Sequence, residues 1–201
     1  NLLMKHGAGL FGEVPAVFIT IDRQDLPKEI IKPHMRSLLW GWDFKKTINI
    51  IENSLPQSKH LFIVSGISMS DQKLRNLARK ALSEYSGKLA VEYLSGLAIE
   101  DLLEKVARLP KHSVIFYLTI FRDANGKSFV PREIMSVISE KANAPVFGIV
   151  DTYLGHGTVG GYLLSAEHQG KRYANIAESI LRGQPIKDAE FMEKGNLPMF
   201  D

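Results

Sequence analysis

The sequence predicts an α/β protein built on a doubly wound, parallel sheet, and three observations lead there. Five apolar, β-branched-rich runs read as buried strands: residues 16–21 (AVFITI), 60–65 (HLFIVS), 89–94 (LAVEYL), 113–121 (SVIFYLTIF) and 146–150 (VFGIV). The stretches between the later runs carry apolar residues at helical spacing, and strands separated by helices of about 10–15 residues imply right-handed βαβ units. The run at 113–121 is hydrophobic on both faces, as a strand covered by helices on both sides must be.

The elements follow in order. After the first strand, residues 22–42 hold two prolines and little periodicity, and read as a crossing between two lobes. Asp43 is placed to cap a helix over 43–54 whose stripe is Ile48, Ile50, Ile51 and Leu55, ended by Pro56. The strand at 60–65 leads to a helix expected to be capped by Ser70, with Leu74, Leu77, Ala78, Ala81 and Leu82 on its buried face. The run at 89–94 alternates, which suits an edge or near-edge strand. A helix over 99–108 leads into the central strand. DANGK at 123–127 is a turn, because Asn-Gly tolerates positive φ, and Pro131 opens a helix to about residue 142. A last helix over 166–182 is stopped by Gly183 and Pro185.

Composition excludes several function classes. The 201 residues, 45% of them hydrophobic, suffice for one large domain or two small lobes, and the chain reads as a folded, soluble protein. Twenty-five basic and 22 acidic residues are interleaved, so the net charge of +3 and a pI near 9.0 leave no footprint for nucleic acid. Without cysteine there is no disulfide, thiolate metal site or cysteine nucleophile. No apolar run nears the roughly 20 residues that span a bilayer. The start, NLLMKHGAGLF, lacks the apolar core of a signal peptide and does not begin like a natural gene product. No Walker or dinucleotide fingerprint and no G-x-S-x-G elbow occurs, and the six histidines show no short ligand spacing. No cofactor, metal or catalytic residue is therefore expected.

The most informative stretch is 145–165, PVFGIVDTYLGHGTVGGYLLS. It delivers Asp151, Tyr153 and His156 at the carboxyl end of a strand, where open α/β sheets bind their ligands. Each candidate there has two readings. Asp151 is a turn or cap carboxylate, or it accepts from a ligand amine or hydroxyl. Tyr153 packs at a lobe boundary or stacks on a ligand. Arg122, at the end of the central strand, pairs with Asp123 or Asp151, or holds an anionic group. Ser65, Gly66 and Ser68 precede a helix and serve turn chemistry or a polar ligand. Trp40 and Trp42 line a cleft or pack a hinge.

The ordered strings VPAVFITID, DFKKTINIIENSLP, HLFIVSG, TIFRDANGKSFVPREI, APVFGIVDTYLGHGTVGGYLLSAEHQG and ANIAESILRGQPI resemble ABC-transporter-type substrate-binding domains of the type I periplasmic-binding-protein fold. FRDANGKSFVP and VDTYLGHGTVGGYLLS are similar to the extracytoplasmic sensor regions of bacterial membrane histidine kinases. The likeness runs over about residues 12–187. It implies one nearly complete lobe, residues 43–160, plus a remnant of the other: residues 1–42 hold the remnant and the crossing, and 161–201 hold a return helix and a tail. Two further βα units would normally precede residue 1, so the resemblance implies an apolar edge that invites a second copy of the chain.

It also implies a small-molecule ligand gripped between lobes by Ser65, Gly66, Ser68, Thr119, Phe121, Arg122, Asp151 and Tyr153. Ligand-driven lobe closure on the periplasmic face of the inner membrane would be relayed to flanking membrane segments, with no bond made or broken. Two other readings stay open. One is the solute-binding component of an ABC importer, and the other a small α/β enzyme with Asp151 and His156 as acid and base.

Overall fold

The computed structural model of the chain describes residues 14–20, 35–39, 41–85, 87–184 and 195–201, together with His6, Gly9 and Gly12. They belong to two compact units, 1–42 with 165–196 and 43–164 with 197–201. In the smaller unit β1 (Ala16–Thr20) pairs in parallel with β2 (Met35–Leu39). The sequence reading has no strand at 35–39, where MRSLL is short and follows two prolines. Most of the expected crossing, residues 22–34 and Trp40, lies outside the described residues, as do Ile21 and Pro185.

The larger unit begins with α1 (Phe44–Ser54), whose first turn is capped as expected by the Asp43 carboxylate, 3.3 Å from the amide of Lys46. It continues through β3 (His60–Ser65), α2 (Met69–Leu82), β4 (Ala90–Ser95), α3 (Ile99–Val106), β5 (Ser113–Thr119), α4 (Pro131–Lys141), β6 (Val146–Phe147) and β7 (Gly160–Leu164). Helix α5 (Ala166–Leu181) belongs to the smaller unit, where Tyr173, Ile176 and Ile180 pack with Val17. Strand β8 (Asn196–Phe200) completes a six-stranded sheet of order β4-β3-β5-β6-β7-β8.

The pairs β3–β4, β3–β5, β5–β6 and β6–β7 are all parallel. Along β8 the chain runs the other way: the Asp201 amide reaches the Val159 carbonyl, while Met199 and Phe200 lie against Gly160. The sequence reading treats this last stretch as a tail. NLPMF hides its strand because Pro198 cannot donate to a ladder, which an edge strand tolerates.

Strand β5 sits inside the sheet and is buried along its whole length; β4 lies at the edge, as its alternation predicts. Helices α1 and α2 pack on each other, as do α3 and α4. Right-handed crossovers from β3 to β4 and from β4 through β5 to β6 put these pairs on opposite faces, which is the doubly wound arrangement. The core between them holds Phe116, Tyr117, Phe147, Ile48, Ile51 and Leu61, each worth about 1.5–3 kcal/mol of burial. Phe44 meets Phe116 edge to face at 6.2 Å.

Two local expectations change. Helix α2 is capped by Ser68, not Ser70. The Ser68 hydroxyl accepts from the Asp71 amide and the Asp71 carboxylate accepts from the Ser68 amide, a reciprocal box that Ser70 cannot make because Lys73 stands three residues on. Strand β6 spans two residues, not five. At Gly148 the Tyr153 ring packs so close that an added Cβ would lie 2.8 Å from it, and the chain then turns through a short 3₁₀ segment at Asp151–Tyr153.

Candidate functional site

The order β4-β3-β5-β6-β7 places the sheet's reversal between β3 and β5. From β3 the chain first moves out to β4, then returns past β3 to β5 and onward. The carboxyl ends of two strands that diverge in this way border the crevice where such sheets take ligands. There Ser65 and Gly66 stand beside Thr119.

The two ends are tied by more than the ladder. The register slips between Val64 and Ser65, so Leu118 is the extra residue of a bulge. Its carbonyl receives the Tyr153 hydroxyl at 2.9 Å. The Tyr117 hydroxyl donates to the Pro131 carbonyl and accepts from the Ile120 amide. Beyond the strands, the Gly66 amide donates to the Thr119 carbonyl and the Ile67 amide to the Arg122 carbonyl, both at 2.8 Å.

Asp71 fastens the same point from the helix side. Its carboxylate is fully buried and accepts from the amides of Ser68 at 2.9 Å, Phe121 at 3.1 Å and Arg122 at 3.3 Å. Arg75 donates to the Ser65 hydroxyl at 3.2 Å and to the Gly66 carbonyl at 2.9 Å. Gly66 is hemmed in between, since an added Cβ would lie 2.5 Å from both the Arg122 carbonyl and the Asp71 carboxylate.

Asp123, one residue past Arg122, is buried as well. It accepts from the Ile99 amide at 3.1 Å, capping α3 from 24 residues away, and from the Lys127 amide at 2.9 Å within the DANGK turn. Gly126 has the positive φ, +82°, that the Asn-Gly pair predicts.

The expected site residues therefore divide in two. Ser65, Gly66, Ser68 and Thr119 do converge at the reversal, yet their polar groups are engaged internally: Ser65 and Gly66 by Arg75, Ser68 by the Asp71 amide, Thr119 through its carbonyl. Tyr153 is 4% exposed, edge to face with Tyr117 at 5.3 Å, and points inward; the ligand-stacking reading gives way to a structural one. Burial pushes both phenols well above their ordinary value of 10.0. For Tyr153 the Thr119 side chain pulls the other way and Asp71 adds to the rise; for Tyr117 the neighbouring Tyr153 adds to it.

Outward-facing groups are few. Phe121 is 46% exposed, Met69 is 87% exposed, and the exposed Arg122 makes no side-chain hydrogen bond or ion pair with any described residue. The pairing of Arg122 with Asp123 or Asp151 is thus not formed. Asp151, half-buried at the β6 end, opens the 3₁₀ segment. His156 is engaged by the Ser136 hydroxyl through its ring nitrogen and its carbonyl, and has no hydrogen bond to Asp151. Among the described residues no cluster of three or more His, Asp or Glu could hold a metal, and no helix is long and apolar enough to cross a membrane. Trp42 is half-buried.

Residues the sequence reading missed are Asp71, Arg75, Tyr117 and Asp123 as fasteners. Ser68 and Asp71 at capping-box spacing were the available signal; nothing local marks the reach of Asp71 to residue 121.

The mostly parallel six-stranded sheet with helices on its faces matches a substrate-binding-protein-like α/β fold. Among solved structures, the chain is similar to the ligand-free, open structure of CD0873, a substrate-binding protein with adhesive properties from Clostridium difficile, at 18% identity and TM-score 0.61 over 84% of this chain and 57% of that one. A conserved domain protein from Vibrio cholerae aligns at 20% identity and TM-score 0.49 over 81% of this chain and 54% of that one. The chain spans little more than half the length of either. No family model and no curated protein matches it.

Proposed function

We propose that the chain binds a small molecule at the carboxyl rim of β3 and β5 and performs no chemistry on it. The observation that carries this reading is the division at the rim: the strand ends are fixed by internal partners, while Phe121 and Arg122 project from that fixed backbone. An apolar face beside a guanidinium suits a ligand with an apolar body and an anionic group, the cation binding it bidentately. A fold shared with a substrate-binding protein supports the same reading.

Within it, the role we favour is that of the extracytoplasmic sensor region of a bacterial membrane histidine kinase, on the strength of the strings FRDANGKSFVP and VDTYLGHGTVGGYLLS. The lobe closure and the relay to flanking membrane segments that the resemblance implies belong to the same proposal. A second reading is the solute-binding component of an ABC importer, which a fold shared with a substrate-binding protein supports equally.

The test is a thermal-shift screen of amino acids, nucleobases, sugars and organic acids against the chain and its Arg122→Ala variant. A ligand at about 100 times its Kd adds about 2.7 kcal/mol of stability. We expect hits among organic anions, weakened at least tenfold by the variant; a flat screen ends the binding reading.

A further inference from the structure

We infer that Asp71 sets the ligand class at this rim: by filling a cradle of main-chain amides from within, it excludes an anionic ligand group from the sheet's reversal and leaves that group to the Arg122 guanidinium. The inference deepens the binding reading and rests on it.

Three amides from two separate segments converge on this one carboxylate, Ser68 from the start of α2 and Phe121 with Arg122 from beyond β5. Helix-start amides at the reversal of an α/β sheet are the groups that hold a ligand's phosphate or carboxylate in this architecture. Here the Ser68 amide is taken by the Asp71 carboxylate and the Asp71 amide by the Ser68 hydroxyl. No described cation pairs with Asp71: the nearby Arg75 turns instead to the Ser65 hydroxyl and the Gly66 carbonyl. The carboxylate is thus held by neutral dipoles, as a nest holds a bound anion.

The cradle is also shaped for one occupant. Gly66 forms its wall at a distance that leaves no room for a Cβ between the Asp71 oxygen and the Arg122 carbonyl. A second anion reaching for the same amides would meet a like charge in a buried place, where repulsion is weakly screened. The exposed cation beside the occupied amides is Arg122, whose own main-chain amide is one of them, so backbone and side chain separate the roles: the inner position is closed to anions and the outer one open.

The experiment has two arms. In the first, amide resonances of the wild-type 201-residue chain are followed during an inorganic phosphate titration at constant ionic strength. Those of Ser68, Phe121 and Arg122 should not move as they would on direct capture of an anion; a saturable shift of all three overturns the inference. In the second, Asp71→Gly empties the cradle and Asp71→Asn keeps it filled. Formate should raise the melting temperature of the glycine variant by about 2–4 °C over a chloride control, and leave the asparagine variant and the wild type unchanged. A glycine variant indifferent to formate overturns the inference; should that variant not fold, the first arm decides. Formate rescue with a flat small-molecule screen would sink the binding reading alone, whereas ligand hits without formate rescue would sink the cradle alone.

Discussion

Two regions of the sheet, the carboxyl end of β3 and β5 and the β6–β7 pair, are held by different chemistry. At the β3–β5 end, charged side chains do the fastening: Asp71 collects three amides and Arg75 a hydroxyl and a carbonyl. At the β6–β7 pair, hydroxyls and close backbone contact do it. Tyr153 reaches the Leu118 carbonyl, the Thr158 hydroxyl takes the Gly160 amide and faces the Val146 carbonyl, and Gly160 lies against β8. The contrast teaches where substitution is tolerated. The first region should fail when a charge is removed, the second when a methyl group is added.

The largest expected effect is Asp71→Ala, which strands three amide donors in a buried place and should cost about 3–5 kcal/mol in urea unfolding. A loss below about 1 kcal/mol would dissolve the contrast. Next comes Gly160→Ala. Its φ is +132° and an added Cβ would lie 2.2 Å from the Met199 carbonyl, so we expect about 2–4 kcal/mol, against a near-neutral change at Gly170, which has open space.

Tyr153→Phe should cost about 1–2 kcal/mol, because the carbonyl of the bulge residue loses its donor. It should also alter the alkaline limb. Both buried phenols ionise at a higher pH folded than unfolded, so the unfolded chain releases their protons first and stability falls as pH rises above about 10. Tyrosinate absorbance should therefore appear with unfolding and not before it, and the fall should be shallower in Tyr153→Phe. Smallest is Arg122→Ala, within about 0.5 kcal/mol by the same unfolding assay, since the exposed side chain has no described partner.

The sequence made the frame of this protein legible because frame and pattern obey the same physics. Two-faced hydrophobicity at 113–119 marks a strand inside the sheet, alternation at 90–95 marks an edge, and Asp43, Pro131 and the Asn-Gly turn each act where they stand. The strand ends at the site were also placed together by the parallel order. What stayed hidden was which way each polar group is used. Whether Tyr153 faces a ligand or the core depends on a bulge at Leu118, and a bulge leaves no mark in periodicity. Whether Ser65 is open depends on Arg75 ten residues along, and Asp71 meets Phe121 across 50 positions. Strands β2 and β8 were missed for a humbler reason: five residues, one stretch following prolines and the other containing one, carry too little signal.

Strand β8 has a consequence for how this chain behaves among its own copies. A bare strand flank is a template on which any extended peptide can condense, and a flank bearing glycine, with nothing projecting to fend off a newcomer, is an inviting one. The terminal segment lies over that flank in reverse direction, pressed tightly enough at Gly160 that no bulkier residue would fit beneath it. Clipping away residues 196–201 would therefore replace an outermost strand broken by Pro198 with the glycine-bearing flank of β7, on which an extended peptide can add more readily.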